Sequence, residues 1–166
     1  YACPLVPSRL RLVHRLSKGS ITFTACSHSC ATLGQGIGKW AIIYNGISTE
    51  FYEHHPTLNP GEKYLAFLGR LDRVKGAHTA IQIARATSKK LKIAGNITAD
   101  SDYFKTEIEP LVDGKQIEYI GPVKDQQKND FLGKAEALLF PIEWEEPFGL
   151  VIIEALACGT PVIAFP

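Results

Sequence analysis

The sequence has no methionine, few cysteines and no long apolar run. Of its 166 residues, none is Met and 4 are Cys. No run approaches the roughly 18 apolar residues that a bilayer-spanning helix needs, so we predict no transmembrane helix. The chain begins Tyr1-Ala2-Cys3-Pro4, without a basic region ahead of an apolar core, so we predict no signal peptide. A natural chain starts with Met, and we therefore expect a piece of a longer protein.

Acidic residues are missing from the start of the chain, although basic ones are present. No Asp or Glu precedes Glu50, whereas the same stretch carries Arg9, Arg11, Arg15, Lys18 and Lys39. Such a stretch is typical of a nucleic-acid or membrane-surface contact, or of a solvated or interdomain face. The formal net charge is only +1, so we favour the solvated or interdomain face and predict no nucleic-acid partner. The composition gives no support to membrane association either.

The cysteines form no framework. Cys3, Cys26, Cys30 and Cys158 are scattered, which fits a reducing compartment, so we predict a cytoplasmic protein. A peripheral position at the inner face of the membrane stays an open alternative. Cys26, His28 and Cys30 offer three zinc ligands close together, but a closed zinc site takes four and no second pair has the right spacing. We predict no metal.

From residue 64 onwards, short apolar runs alternate with segments of helical periodicity. Continuous apolar strands of this kind are typical of a parallel sheet covered on both faces. The sequence therefore predicts an α/β domain with a doubly wound, Rossmann-like parallel sheet. The predicted strands are 64–68, 91–94, 117–120, 137–140 and 161–165, and the predicted helices are 76–88, 102–112, 125–133 and 148–157.

The first 60 residues follow this pattern less well. They contain two apolar runs, 21–25 and 41–44, that we predict as strands, and an Asn45-Gly46 turn. Residues 48–61 hold two prolines and two adjacent histidines and are predicted as a linker. The glycine-rich stretch 34–38 does not match the spacing of a dinucleotide fingerprint, so we interpret it as a loop.

Cationic side chains follow the first strand of the regular part. Parallel sheets of this kind bind ligands beyond the carboxyl ends of their strands, where this chain carries Gly69-Arg70, Gly95-Asn96 and Gly121-Pro122. Glycine there would let a ligand approach the backbone. Arg70 and Lys75 together suit a diphosphate, because each charge-assisted hydrogen bond contributes about 1.5–3 kcal/mol. A solvated basic loop is the alternative.

Two glutamates, Glu146 and Glu154, stand eight positions apart around a predicted helix start. Pro147 indicates that the helix begins just after it, which leaves Glu146 in the preceding loop. Glu154 lies in an apolar run, and two sugar hydroxyls would satisfy its carboxylate. The amides of Gly149 and Leu150 at the helix start form an anion site. A surface helix with one incidental glutamate is the alternative.

These residues resemble a known family. Glu146 through Glu154, followed by 155–163, resembles the E-x7-E signature of family 4 glycosyltransferases. Gly69-Arg70-Leu71 with Lys75-Gly76 resembles their phosphate-binding element, and residues 44–47 resemble the segment that joins their two domains. The resemblance extends from about residue 20 to the C-terminus, and the E-x7-E block is its most specific part.

The resemblance implies the two-domain GT-B fold, in which the C-terminal half binds the donor. It also implies transfer from a nucleoside diphosphate sugar with retention of configuration, and neither a cofactor nor an essential metal. The implied catalytic residues are Arg70 and Lys75, which hold the diphosphate, and Glu146, which contacts the donor sugar. Further implied donor-binding residues are Glu154 at the ribose, the Gly149 and Leu150 amides, Gly95 and Val123 near the base, and Gly69 and Phe148.

The resemblance also divides the chain. Residues 1–47 would be a remnant of the N-terminal acceptor domain, 48–61 the linker, and 62–166 the donor domain, truncated at its C-terminus. We expect such a piece to bind donor weakly and to transfer nothing alone.

The expected reaction moves a sugar to a glycan or lipid-linked acceptor, in polysaccharide or lipopolysaccharide biosynthesis. The expected partners are the nucleotide sugar and, through the missing domain, that acceptor. A non-catalytic nucleotide-sugar-binding module and a sugar-nucleotide epimerase of similar fold stay open as alternatives.

Overall fold

The computed structural model describes residues 6–54, 63–98 and 102–165. Contacts divide the chain into two compact units, Tyr1–Gly46 with Glu145–Gly149, and Ile47–Trp144 with Leu150–Pro166. The assignment of residues 1–47 to an acceptor domain stays a prediction. Much of the predicted linker, 55–61, lies outside the described residues.

The first unit contains a small parallel sheet. Strands β1 (Thr22–Ala25) and β2 (Lys39–Ile42) pair in register from Thr22 with Lys39 to Ala25 with Ile42. The first predicted strand is confirmed. The second was predicted at 41–44 and begins two residues earlier, because the Trp40 ring stacks on Phe23 at 5.1 Å between centroids and brings the polar Lys39 into the strand.

Two helices accompany these strands. Helix α1 (Pro7–Leu16) begins at a proline, which is suited to a first helical turn because its missing N–H would have no partner there. Helix α2 (His28–Thr32) is capped by the Ser27 hydroxyl, which accepts a hydrogen bond from the Cys30 amide at 3.1 Å. Within the described ranges, no helix is long and apolar enough to cross a bilayer.

The second unit contains a five-stranded parallel sheet in the order β5-β4-β3-β6-β7. The sheet confirms the predicted doubly wound architecture. Its strands are β3 (Leu65–Leu68), β4 (Leu91–Ala94), β5 (Ile117–Gly121), β6 (Ala137–Phe140) and β7 (Val162–Ala164).

The central strand β3 is covered on both faces, which explains why all four of its residues are apolar. Leu65 and Phe67 pack into one hydrophobic cluster, and Tyr64 and Ala66 pack into a second. Since neighbouring residues of a strand point to opposite faces, each cluster covers one side of the sheet. Fully burying one large aliphatic side chain contributes roughly 1.5–3 kcal/mol.

Three α-helices cover the two faces. Helix α3 (Ala77–Ala86) buries Ala77, Ala80, Ile81 and Ala84, which recur at helical spacing. Helices α4 (Asp125–Gly133) and α5 (Leu150–Ala157) supply Phe131, Leu132 and Ala155 to the second cluster.

The predicted helix at 102–112 is helical but is not a regular α-helix. It forms a π-helical turn at Phe104–Ile108 and then a 3-10 turn at Glu109–Leu111. Pro110 lies in the 3-10 turn and has no N–H to donate to the preceding turn, so an α-helix cannot continue through it.

The predicted helix at 148–157 begins later than expected, at Leu150. Gly149 has a φ of +79°, which is not helical, so Phe148 and Gly149 precede the helix. The interpretation of Glu146 as a loop residue and of Glu154 as a helical residue is correct.

The strand order reverses between β3 and β6. From β3 the chain proceeds to β4 and β5 on one side, whereas β6 and β7 lie on the other. In doubly wound sheets, ligands bind beyond the carboxyl ends of the strands at such a switch point. The loops that follow β3 and β6 are therefore the first place to look for a site.

Candidate functional site

The loop after β3 carries the two predicted cations. Arg70 lies two residues after the end of β3 and is about half exposed, and its Nη2 lies 2.9 Å from Oδ2 of Asp72. The Thr98 hydroxyl, in the loop after β4, donates to the other oxygen of Asp72. Asp72 therefore connects Arg70 to the neighbouring loop. An ion pair at this exposure contributes at most about 1 kcal/mol.

Lys75 ends the 3-10 turn Arg73–Lys75, two residues before α3. Its Nζ lies 5.0 Å from the centroid of the Trp144 ring, which belongs to the loop after β6. This is within the range of a cation–π contact. Arg70 and Lys75 thus share one loop at the switch point, as the diphosphate hypothesis requires.

The glycine at the end of β4 is required by the neighbouring backbone. Gly95 has a φ of +151°, and a Cβ added there would lie 1.7 Å from the carbonyl oxygen of Gly69. The expectation that a ligand explains this glycine is therefore unnecessary, since the adjacent strand end already excludes a side chain. The structure thus places two of the predicted site residues, Gly69 and Gly95, next to each other.

Val123, in the loop after β5, is half-buried and packs against the second hydrophobic cluster. Gly121, just before it, has a φ of +79° and no heavy atom near the position of a Cβ. The predicted contact of Gly95 and Val123 with a nucleotide base stays a prediction.

Glu154 is buried in α5 and has protein partners. Its side chain is 9% exposed, and Oε1 lies 2.9 Å from Nζ of Lys128 in α4. Lys128 also lies 2.9 Å from Oδ1 of Asp125. Burial lowers the pKa of Lys128, but the hydrogen bonds to the two carboxylates outweigh it and raise that pKa overall. The sequence argument that a buried Glu154 needs a partner is right, and Lys128 provides one.

The Glu154 carboxylate contributes to a raised pKa at two further groups. Burial and a hydrogen bond with Glu154 raise the pKa of Tyr52 well above its ordinary value. Burial, together with the charge of Glu154, raises the pKa of the Cys158 thiol to about 11. Tyr52 and Cys158 therefore both stay protonated at neutral pH.

The segment that carries Glu146 belongs to the first unit. Glu146 is half-buried, the Phe148 ring lies 6.3 Å from that of Tyr44, and the Cys26 thiol donates to the Pro147 carbonyl at 3.8 Å. In the described part of the chain, no group of three His, Cys, Asp or Glu side chains is arranged to hold a metal.

Sequence reasoning missed three residues in these contacts. Trp144 stands beside the predicted signature, Lys128 lies on a correctly predicted helix, and Tyr52 lies in the predicted linker. A large aromatic residue in a loop is a signal that could have indicated Trp144. Nothing in the sequence shows that Lys128 and Tyr52 face α5.

The comparisons with known proteins agree with the fold. A family model described as "Glycosyl transferases group 1" matches residues 48–166. A glycogen synthase of Mycobacterium tuberculosis is 30% identical over 159 residues, which cover 90% of this chain and 37% of that protein. A phosphatidyl-myo-inositol mannosyltransferase of Propionibacterium freudenreichii is 32% identical over 106 residues, which cover 60% of this chain and 25% of that protein.

Solved structures show the same architecture. AviGT4, a glycosyltransferase involved in avilamycin A biosynthesis, superposes with a TM-score of 0.70 at 27% identity, over 86% of this chain and 46% of that one. Anabaena HepE, solved with UDP and glucose, superposes with a TM-score of 0.75 at 23% identity, over 98% of this chain and 50% of that one. The α/β sheet is thus the one found in GT-B glycosyltransferases.

The chain spans 25% and 37% of the length of the two curated relatives named above. The family match nevertheless includes the loop after β3, the whole five-stranded sheet and α5. On this ground the chain belongs to the group 1 glycosyl transferases.

Proposed function

We propose that this chain supplies the donor site of a retaining glycosyltransferase. The enzyme would move a sugar from a nucleoside diphosphate sugar to a glycan or lipid-linked acceptor, in polysaccharide or lipopolysaccharide biosynthesis. The observation that carries the proposal is the position of Arg70 and Lys75 in the loop after β3, at the switch point of the sheet. Membership of a glycosyl transferase family supports it, as do relatives named for mannosyl transfer to phosphatidyl-inositol and for glycogen synthesis.

The proposed roles follow from charge. Arg70 and Lys75 would hold the diphosphate and stabilise the negative charge that grows on it as the sugar departs. No metal ion would be needed, because the two cations would neutralise this charge.

The carboxylates would bind sugars. Glu154, held in place by Lys128, would accept hydrogen bonds from the ribose hydroxyls. From the resemblance, Glu146 would contact the donor sugar, and the amides of Gly149 and Leu150 would support a phosphate or the sugar.

Calorimetric titration of the chain with UDP, GDP and ADP, and then with their sugar conjugates, tests the donor site. We expect one nucleotide to bind selectively. Arg70→Ala should weaken its binding about ten- to a hundredfold, which corresponds to the loss of one charge-assisted hydrogen bond. Glu154→Ala should weaken the binding of the nucleotide but not that of inorganic pyrophosphate, because the proposed partner of Glu154 is the ribose.

Arg73→Ala is the matched control for Arg70→Ala. Arg73 lies in the same loop and is exposed, and it pairs with Glu107 of the π-helical turn Phe104–Ile108. We expect its loss to change nucleotide affinity less than twofold. Equal losses in the two arginine variants would indicate general attraction of anions, and a folded chain that binds no nucleotide would contradict the proposal.

Transfer itself distinguishes an enzyme from a non-catalytic binding module. A protein that contains this chain and spans the full length of the curated relatives should release nucleoside diphosphate when an acceptor is added. The anomeric configuration of the product, read by NMR, should equal that of the donor. Donor binding without turnover on any glycan or lipid acceptor would favour the module.

A further inference from the structure

The loops after β3 and β6 are fastened to each other. The Glu143 amide donates to the Val74 carbonyl at 2.9 Å. Gly76, with a φ of +76°, lies so close to Pro141 that a Cβ there would be 1.9 Å from its carbonyl oxygen. The backbone contact thus joins the loop that carries Lys75 to the loop that carries Trp144.

The side chains of these loops meet as well. Trp144 is 41% exposed, so hydrophobic burial alone does not account for its place in the loop. Its ring faces the ammonium of Lys75 at 5.0 Å. A Lys side chain loses considerable rotamer entropy when it is fixed, so a partner that holds the ammonium in place lowers the cost of ordering it around a ligand.

The residue before Trp144 is anchored by a chain of hydrogen bonds. His78, at the start of α3, has its Nε2 3.1 Å from Oε1 of Glu143. Its Nδ1 lies 2.8 Å from the Tyr103 hydroxyl, which also accepts the His78 backbone N–H at 3.1 Å.

These contacts allow an arrangement of the protons in which the His78 imidazole is neutral. Because burial raises the pKa of Tyr103, its hydroxyl stays protonated and, while accepting from the His78 amide, can donate to Nδ1. The remaining His78 proton is then on Nε2, from which it is donated to Glu143. A neutral imidazole therefore suffices to hold Glu143, and with it the start of the segment that presents Trp144.

We propose that Trp144 is a positioning residue for Lys75. Its indole face holds the ammonium at the switch point between β3 and β6, and the His78–Glu143 contact fixes the loop that presents the indole. This inference rests on the proposed function, in which Lys75 binds the diphosphate of the donor. It assigns to Trp144 a contribution to diphosphate binding that does not require direct contact with the nucleotide.

The test uses whichever of UDP, GDP and ADP the wild-type chain binds, together with the matching nucleoside, which lacks phosphate. Trp144→Leu removes the π face, and Trp144→Phe keeps one. We expect Trp144→Leu to weaken diphosphate binding about two- to fivefold, the strength of an exposed cation–π contact, and to leave nucleoside affinity unchanged. Trp144→Phe should stay within about twofold of the wild type. Should the Leu variant not fold, Trp144→Gln takes its place.

A double-mutant cycle with Lys75→Met shows whether Trp144 acts through Lys75. In the Lys75→Met background, Trp144→Leu should have no further effect on diphosphate affinity. An undiminished effect there overturns the proposal, as does a Trp144→Leu variant that binds the diphosphate as the wild type does. If Trp144→Leu weakens the binding of the nucleoside as much as that of the nucleoside diphosphate, the substitution has disturbed the loop in general. This result would also overturn the proposal. If the folded wild-type chain binds none of the three nucleotides, the proposed function itself fails, and this inference fails with it.

Discussion

Lys128 Nζ lies 2.9 Å from Oε1 of Glu154 and joins α4 to α5 across the second hydrophobic cluster. The Glu154 side chain is 9% exposed and that of Lys128 is 21% exposed. A buried carboxylate without a partner is costly, and Lys128 gives the predicted ribose ligand such a partner without a bound donor. Glu154 therefore has a structural role as well as its proposed binding role.

Removal of Lys128 should destabilise the second unit. In Lys128→Met, Glu154 loses a charged hydrogen-bond partner, and we expect the free energy of unfolding to fall by about 1–3 kcal/mol. Glu154→Gln combined with Lys128→Met should recover part of this loss, because no unpaired charge is then buried. Urea denaturation followed by circular dichroism measures both values.

Lys134→Met is the matched control, since Lys134 pairs with Asp130 at 2.8 Å near the end of the same helix, with both side chains about half exposed or more. We expect it to cost less than about 0.5 kcal/mol. Equal losses in Lys128→Met and Lys134→Met would contradict the assignment of a buried pair.

Alanine substitutions at Gly76 and Gly114 distinguish the cost of backbone strain from the cost of a steric clash. Both have positive φ, +76° and +66°, but only Gly76 has a neighbour at the Cβ position, the Pro141 carbonyl. Gly114→Ala should cost about 1–2 kcal/mol, which is the strain of a left-handed alanine. Gly76→Ala should cost a further 1–3 kcal/mol or so, because the loops after β3 and β6 must separate. Thermal denaturation of the two variants measures the difference, and equal costs would refute the close contact.

Titration of Cys158 should make the chain less stable in alkali. The thiol is fully buried, and its pKa is raised from 9.0 to about 11. Between these values the unfolded chain loses this proton and the folded chain keeps it, so stability falls as pH rises. The contribution is fully present below about pH 9, and it is lost at up to about 1.4 kcal/mol per pH unit as pH rises to about 11.

Comparison with Cys158→Ala isolates this contribution from the titrating tyrosines. The free energy of unfolding of the variant should have a smaller slope from pH 9 to 10.5, the range in which the thiol of the unfolded chain ionises. Identical slopes would mean that the Cys158 pKa is not raised in the folded protein.

Removal of divalent metals should leave nucleotide affinity unchanged. Arg70 and Lys75 supply the positive charge in the proposed site, so excess EDTA should change the dissociation constant less than twofold in a calorimetric titration. A nucleotide affinity that is lost with EDTA and restored by Mg²⁺ would show that a metal ion binds the diphosphate instead.

Much of the second unit was predictable because its local signals agree. Strand β4, helix α4 and strand β6 have the predicted bounds, since apolar runs and helical spacing coincide there with glycine or proline at the ends. The errors occur where a local signal is overridden. Pro110 replaces the expected α-helix with π and 3-10 turns, and Trp40 moves β2 towards the N-terminus by stacking on Phe23.

By itself, the sequence determined the parallel α/β architecture, the family resemblance and the residue types at the strand ends, because these follow from periodicity and local spacing. The tertiary structure decided the strand order, and with it the meeting of the loops after β3 and β6. It also decided that Glu154 pairs with Lys128, that Gly95 makes room for the Gly69 carbonyl, and that Trp144 faces Lys75. Each of these contacts joins residues distant in sequence or on different elements. Local patterns do not encode such contacts, since they form only when the elements pack around a common core.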